Sequence, residues 1–126
     1  MSQELPKIAD SEWRIMRVLW ERGPQTANEV VGALAGEVHW KPRTVKTLIR
    51  RLVKKGAVGF EEEGLRYRYS ALVAESECIR SETRSFVRRV TQGAMKPALA
   101  AFLEHAELSP QEIKELQDIL EQKRKG

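Results

Sequence analysis

Apolar positions recur at two different spacings along this chain, and the change between them marks out its architecture. Trp13, Met16, Leu19 and Trp20 fall at helical intervals behind Asp10 or Ser11 as a cap and Glu12 in the first turn, until Gly23-Pro24 ends the pattern. Thr26-Ala-Asn-Glu29 is a capping box, in which hydroxyl and carboxylate each satisfy a backbone N–H, and Val30, Val31 and Leu34 follow as a short apolar face. A third helix is predicted from Pro42 to Lys55. At about 100° per residue, Val45, Leu48, Ile49 and Leu52 share one side, while Arg43, Lys46, Thr47, Arg50 and Lys54 cluster on the other. Pro42 suits the first helical position, where its missing N–H costs nothing, and Gly56 suits a left-handed stop. After Gly56 the period becomes two. Ala57 to Phe60 and Leu65 to Tyr69 read as paired strands, with Glu61 to Gly64 as a polar turn between them. Phe60, Tyr67 and Tyr69 are expected to pack inward and Arg66 and Arg68 to face out. Three helices followed by a hairpin predict a mainly α chain that begins with a winged helix-turn-helix, the third helix in the recognition position.

From Ala71 onward the pattern is helical again. Ile79, Thr83, Phe86, Val87 and Val90 share a face before Gly93, and Met95, Leu99, Phe102 and Leu103 share another before Leu108-Ser109. Ser109-Pro-Gln-Glu112 combines an N-cap, an N1 proline and a capping-box acid. It opens a last helix with Ile113, Leu116, Ile119 and Leu120 on one face and Lys123, Arg124 and Lys125 at its C-terminal end. The expected division is a winged-helix DNA-binding domain over residues 1–70 and a helical dimerisation domain over 71–126. Three helices in about 55 residues make a marginal core alone. A two-fold homodimer formed through Phe86, Val90, Leu99, Phe102, Leu103, Ile113, Leu116 and Leu120 removes that difficulty and offers two recognition helices to a palindromic site. The alternative is a monomer whose last helices fold back on the winged helix.

Charge sharpens the reading of the third helix. Seven basic residues and no acid lie between Trp40 and Gly56, and residues 1–70 hold 13 Lys/Arg against 9 Asp/Glu while residues 71–126 hold 9 of each. All the net charge of +4 therefore sits in the first half. A rigid cationic helix matches the major groove of double-stranded DNA in size and sign. The candidate contacts are Lys41, Arg43, Thr44, Lys46, Thr47, Arg50, Arg51 and Lys54 on the helix and Arg66 and Arg68 on the wing, with the acidic stretch Glu61 to Glu63 held off the phosphates. A second reading, a winged-helix interaction module for an acidic protein partner, needs the same charges. It does not need Thr44 and Thr47, which supply hydrogen bonds and methyl contacts at base edges.

Other chemistry is not indicated. No nucleophile–base pair, phosphate loop or carboxylate pair stands out, so an enzyme is not expected. Cys78, His39 and His105 follow no ligand spacing, so no metal or cofactor is assigned, and Cys78 is read as a buried thiol. Trp13 and Trp20 lie on the inner face of the first helix and read as core, not as base-stacking rings. With one cysteine, no secretory apolar region and no membrane-spanning run, a cytoplasmic protein without a membrane partner is expected.

Several separated motifs together resemble the penicillinase-repressor (BlaI/MecI/CopY) family. They are the run Ile8 to Trp20, the turn Gly23 to Val30, the segment Trp40 to Gly56, and the tail from Leu108 to Leu120. The resemblance covers nearly the whole chain. It implies a bacterial winged-helix transcriptional repressor that binds palindromic operators as a homodimer, with Arg43, Thr44, Lys46, Thr47 and Arg51 among its DNA contacts. It also implies control of β-lactam resistance or a related stress response, and release by a sensor-activated protease that cuts before a phenylalanine. The matching bond here is Ala101-Phe102, which keeps the phenylalanine and lacks the usual Asn before it. The cysteine-rich tail of copper-responsive members has no counterpart in Glu121 to Gly126, so a copper-thiolate switch is not expected. Lys41 stands where the family has Ser or Thr before the proline, exchanging an N-cap for a cation.

Overall fold

The computed structural model describes residues 5–91 and 95–126. In chain order the elements are α1 (Asp10–Arg22), β1 (Gln25–Thr26), α2 (Ala27–Leu34), α3 (Pro42–Lys55), β2 (Val58–Glu63), β3 (Arg66–Ala71), α4 (Glu75–Thr91), α5 (Met95–His105) and α6 (Pro110–Lys125). They form two compact units, Met1–Arg84 and Ser85–Gly126.

The first unit is a winged helix. Val45, Leu48, Ile49 and Leu52, the stripe predicted for α3, are all buried, against Ile15, Met16 and Leu19 of α1 and Val30 and Leu34 of α2. Trp13 and Trp20 sit at the margin of this core with ring centroids 5.7 Å apart. Pro42 occupies the start of α3, and Gly56 ends it in the left-handed region at φ 86°. The capping box of α2 forms as expected: Thr26 N–H donates to Glu29 Oε1 at 2.8 Å, and Glu29 N–H to Thr26 Oγ1 at 3.2 Å.

Four local expectations are corrected. First, α1 is capped by neither Asp10 nor Ser11. It starts after Ala9, whose N–H donates to the buried carboxylate of Glu12 at 2.8 Å, because Glu12 turns inward toward the Lys55 ammonium. Second, Glu61 to Glu63 are not a turn. They belong to β2, opposite Arg68, Tyr67 and Arg66, and only Gly64 and Leu65 reverse the chain. Strand pairing sets a cation directly across from Glu61 and from Glu63, and Gly64 supplies the positive φ, 67°, that a tight hairpin loop needs. Third, only Tyr69 of the three wing aromatics packs against the core. Phe60 and Tyr67 are about half exposed and meet edge to face at 5.0 Å, since the hairpin runs out beyond the helices. Fourth, the sheet has three strands, in the order β1-β3-β2. β1 pairs Gln25 with Tyr69 and Thr26 with Arg68, and two residues are too few to show an alternation in sequence.

Packing in this unit runs on past Ser70. Leu72 N–H donates to Ala57 O at 2.9 Å, Trp20 Nε1 donates to Val73 O at 2.9 Å, and Cys78 is buried in the same core as α3. Burial pushes the Cys78 thiol above its ordinary pKa, and the Glu77 carboxylate adds to the shift.

In the second unit, α6 begins at Ser109 as predicted, with Ser109 Oγ accepting from Glu112 N–H at 3.1 Å and Ser109 N–H donating to the Glu112 carboxylate at 3.0 Å. No described residue of α5 or α6 is buried, and these two helices do not pack broadly against each other. The expected break at Gly93 and the side chain of Val90 lie outside the described residues.

Candidate nucleic-acid interface

The amphipathic division of α3 decides what this surface can do. With its apolar stripe fixed in the core, the opposite side must face solvent, and Arg43, Thr44, Lys46, Arg50, Arg51 and Lys54 are exposed, with Lys41 just before the helix and Thr47 half-buried. Helical rotation separates them further. Arg43, Thr47, Arg50 and Lys54 form the outer ridge. Lys46 lies on the flank toward the wing, and Thr44 and Arg51 lie on the flank toward Lys55.

Among the described residues, no ion pair engages Lys41, Arg43, Lys46, Arg50, Arg51 or Lys54. The charge that sequence counting assigns to this surface shrinks at two positions. Lys55 turns away to Glu12 and to Lys7 O, at 2.9 Å from the latter. Arg68, expected to face phosphates, is held by Glu63 and Glu29. Arg66 remains exposed.

Lys46 and Arg50 line a cleft of about 510 Å³ with Arg66, Phe60 and Tyr67 of the wing and Thr26, Ala27 and Asn28 at the start of α2. Ile49, Val53, Tyr69 and Leu65 complete its walls. Cations over an apolar, aromatic floor suit a sugar-phosphate strand, whose phosphates need charge and whose deoxyribose rings need apolar contact. Sequence patterns alone do not single out Asn28, Phe60 and Tyr67 as lining this cleft. For Asn28 the available signal is its place at the second position of a helix leading into the recognition helix. Leu65, at the turn of the wing, is fully exposed.

Lys41 is the N-cap residue of α3 and makes no side-chain capping bond. Replacing Lys41 by Ser should therefore stabilise the fold by up to about 1 kcal/mol while removing a cation. Urea unfolding checks the first effect. The salt dependence of DNA binding checks the second, with a slope smaller by about 0.9 for each phosphate that Lys41 neutralises.

Elsewhere, Ala101 and Phe102 lie within α5, both exposed. Of the residues expected to form a dimer, Phe86 is exposed on α4, Leu99, Phe102 and Leu103 on α5, and Ile113, Leu116 and Leu120 on α6. No group of three or more His, Cys, Asp or Glu among the described residues could hold a metal, and no described helix is long and apolar enough to cross a membrane.

A helix-turn-helix with a free cationic recognition helix and an adjoining hairpin defines the winged-helix class of regulators. Within that class, the chain belongs to the penicillinase repressor family, whose model matches residues 8–122. It is 36% identical to the penicillinase repressor of Bacillus licheniformis over 95% of this chain and 94% of that protein. It is 31% identical to the methicillin resistance regulatory protein MecI of Staphylococcus aureus (strain N315), covering 98% of this chain and all of that one. Among solved structures it is similar to the DNA-binding domain of the repressor BlaI, at 34% identity and a TM-score of 0.54 over 60% of this chain and 93% of that chain. It is also similar to monomeric Bacillus licheniformis BlaI in complex with the blaP half-operator, at 34% identity, a TM-score of 0.53 and the same coverage.

Proposed function

We propose that this protein is a transcriptional repressor that binds a palindromic operator as a homodimer, reading bases with α3 and holding the backbone with the wing cleft. The observation that carries the reading is the solvent face of α3, where six cations without an ion-pair partner among the described residues flank Thr44 and Thr47. A similar chain, BlaI, has been solved on a half-operator, which supports operator binding by this one. Dimerisation is supported by the apolar residues left exposed along α5 and α6, and the proposed functional division places DNA binding in the first half and pairing in the second. Control of a β-lactam response, and release by cutting Ala101-Phe102 with a sensor-activated protease, are proposed from the family and the retained phenylalanine. Cleavage there would split α5 and remove half of its apolar face.

The test is a binding selection on random duplex DNA followed by titration of variants. Thr47→Ala should cost about 1–3 kcal/mol on the selected site and relax base preference, whereas Lys54→Ala should weaken all sequences alike and lower the salt slope. Selection that enriches no sequence, with equal binding to an acidic polypeptide, would replace this function by a protein-interaction role.

A further inference from the structure

The Arg68 guanidinium meets four acceptors from three parts of the first unit. Its Nε donates to Glu63 Oε2 at 2.7 Å and its Nη2 to Glu63 Oε1 at 3.3 Å, a two-pronged grip on the end of β2. Its Nη1 reaches Pro24 O at 3.3 Å and Glu29 Oε1 at 3.5 Å, in the turn before β1 and in the first turn of α2. Glu63 pairs in register with Arg66, so its contact with Arg68 is the diagonal one along the ladder.

The position of Arg68 in the sheet gives this grip its purpose. Thr26↔Arg68 is the outermost pair between β1 and β3, so the hairpin from Glu62 to Tyr67 extends past the last residue that a third strand supports. A two-stranded hairpin without further support is marginally stable in water. Its direction must therefore be set at its base. Glu29, which already caps α2, gives Arg68 a link from the hairpin into the helix-turn-helix itself.

We propose that Arg68 is a positioning residue that pins the base of the wing to the helix-turn-helix, so that operator binding depends on this clamp and not on a phosphate contact made by Arg68. The inference rests on the DNA-binding function proposed above and assigns a role within it. The two roles for Arg68 differ in the sign expected at its partner. If Arg68 neutralised a phosphate, removing the nearby negative charge with Glu63→Gln would leave binding unchanged or tighten it. If Arg68 is a clamp, Glu63→Gln weakens binding although it makes the protein more positive.

The experiment uses the full chain with Arg68→Ala, Glu63→Gln and the double variant, each titrated on operator DNA over a range of salt and followed by amide hydrogen exchange without DNA. Each single variant is expected to bind about two- to fivefold more weakly. The double variant should be no worse than either, and log K against log [salt] should keep its slope. Amides of β2 and β3 beyond Gly59 should exchange faster in all three. A slope reduced by about 0.9 per phosphate in Arg68→Ala, with Glu63→Gln binding as well as or better than the parent, would overturn the proposal. So would unchanged exchange in the hairpin. If the parent protein binds no DNA, the proposed function fails while the exchange data still decide whether the clamp exists.

Discussion

A chain cut after Arg84 is expected to sediment as a monomer and to bind a palindromic operator about 10²- to 10⁴-fold more weakly than the full-length protein. The cut keeps the winged helix's own contacts, including Trp20 to Val73 and the buried Cys78, and removes α5 and α6, whose apolar side chains are exposed. Affinity falls because two half-site contacts no longer share one molecule, while the intrinsic half-site contact is untouched. The full-length double variant Leu99→Asp, Phe102→Asp should act in the same way, since both residues are half exposed or more on α5 and a carboxylate there opposes burial. Ultracentrifugation and operator titration of both proteins check the idea. A fragment 1–84 that remains a dimer would move the pairing surface into the winged helix.

The second large effect concerns stability. Glu12 is 1% exposed and accepts hydrogen bonds from the Lys55 ammonium and from Ala9 N–H. Lys55→Met should destabilise the protein by about 3 kcal/mol, because it strands a buried carboxylate. Glu12→Gln should cost less. Its amide oxygen still accepts from Ala9, and the partly exposed Lys55 keeps Lys7 O and can turn to water. Urea unfolding of the two variants tests this order. If Lys55→Met proves the milder change, the ion pair contributes little, and the inward turn of Glu12 serves the cap alone.

Lys55 also shows how far the sequence can be read. The amphipathic stripe of α3, its Pro42 start and its Gly56 stop are legible because each depends on neighbours within a few residues. The capping boxes of α2 and α6 are legible for the same reason. Lys55 counts among the seven cations between Trp40 and Gly56, and its engagement with a carboxylate 43 positions away has no local signal. Arg68 is a similar case, since its diagonal grip on Glu63 requires the true hairpin register. That register is hidden because three consecutive glutamates resemble a loop, although cross-strand arginines make Glu61 and Glu63 good strand residues. Of the cleft, the cations are visible in the sequence. Its aromatic floor is not, because Phe60 and Tyr67 look like core residues until the hairpin is seen to leave the core behind.

Trp13 and Trp20 at the edge of the α1 core, and Trp40 packed against the same core, are the only tryptophans in the chain. All three fall within Met1–Arg84. Intrinsic tryptophan fluorescence therefore originates wholly in the first unit, while far-ultraviolet circular dichroism registers helix from both units. Two optical signals recorded on one sample thus divide the molecule without a label. Any condition that melts α5 and α6 first would separate the two traces, and the gap between them would measure how strongly the halves unfold as one.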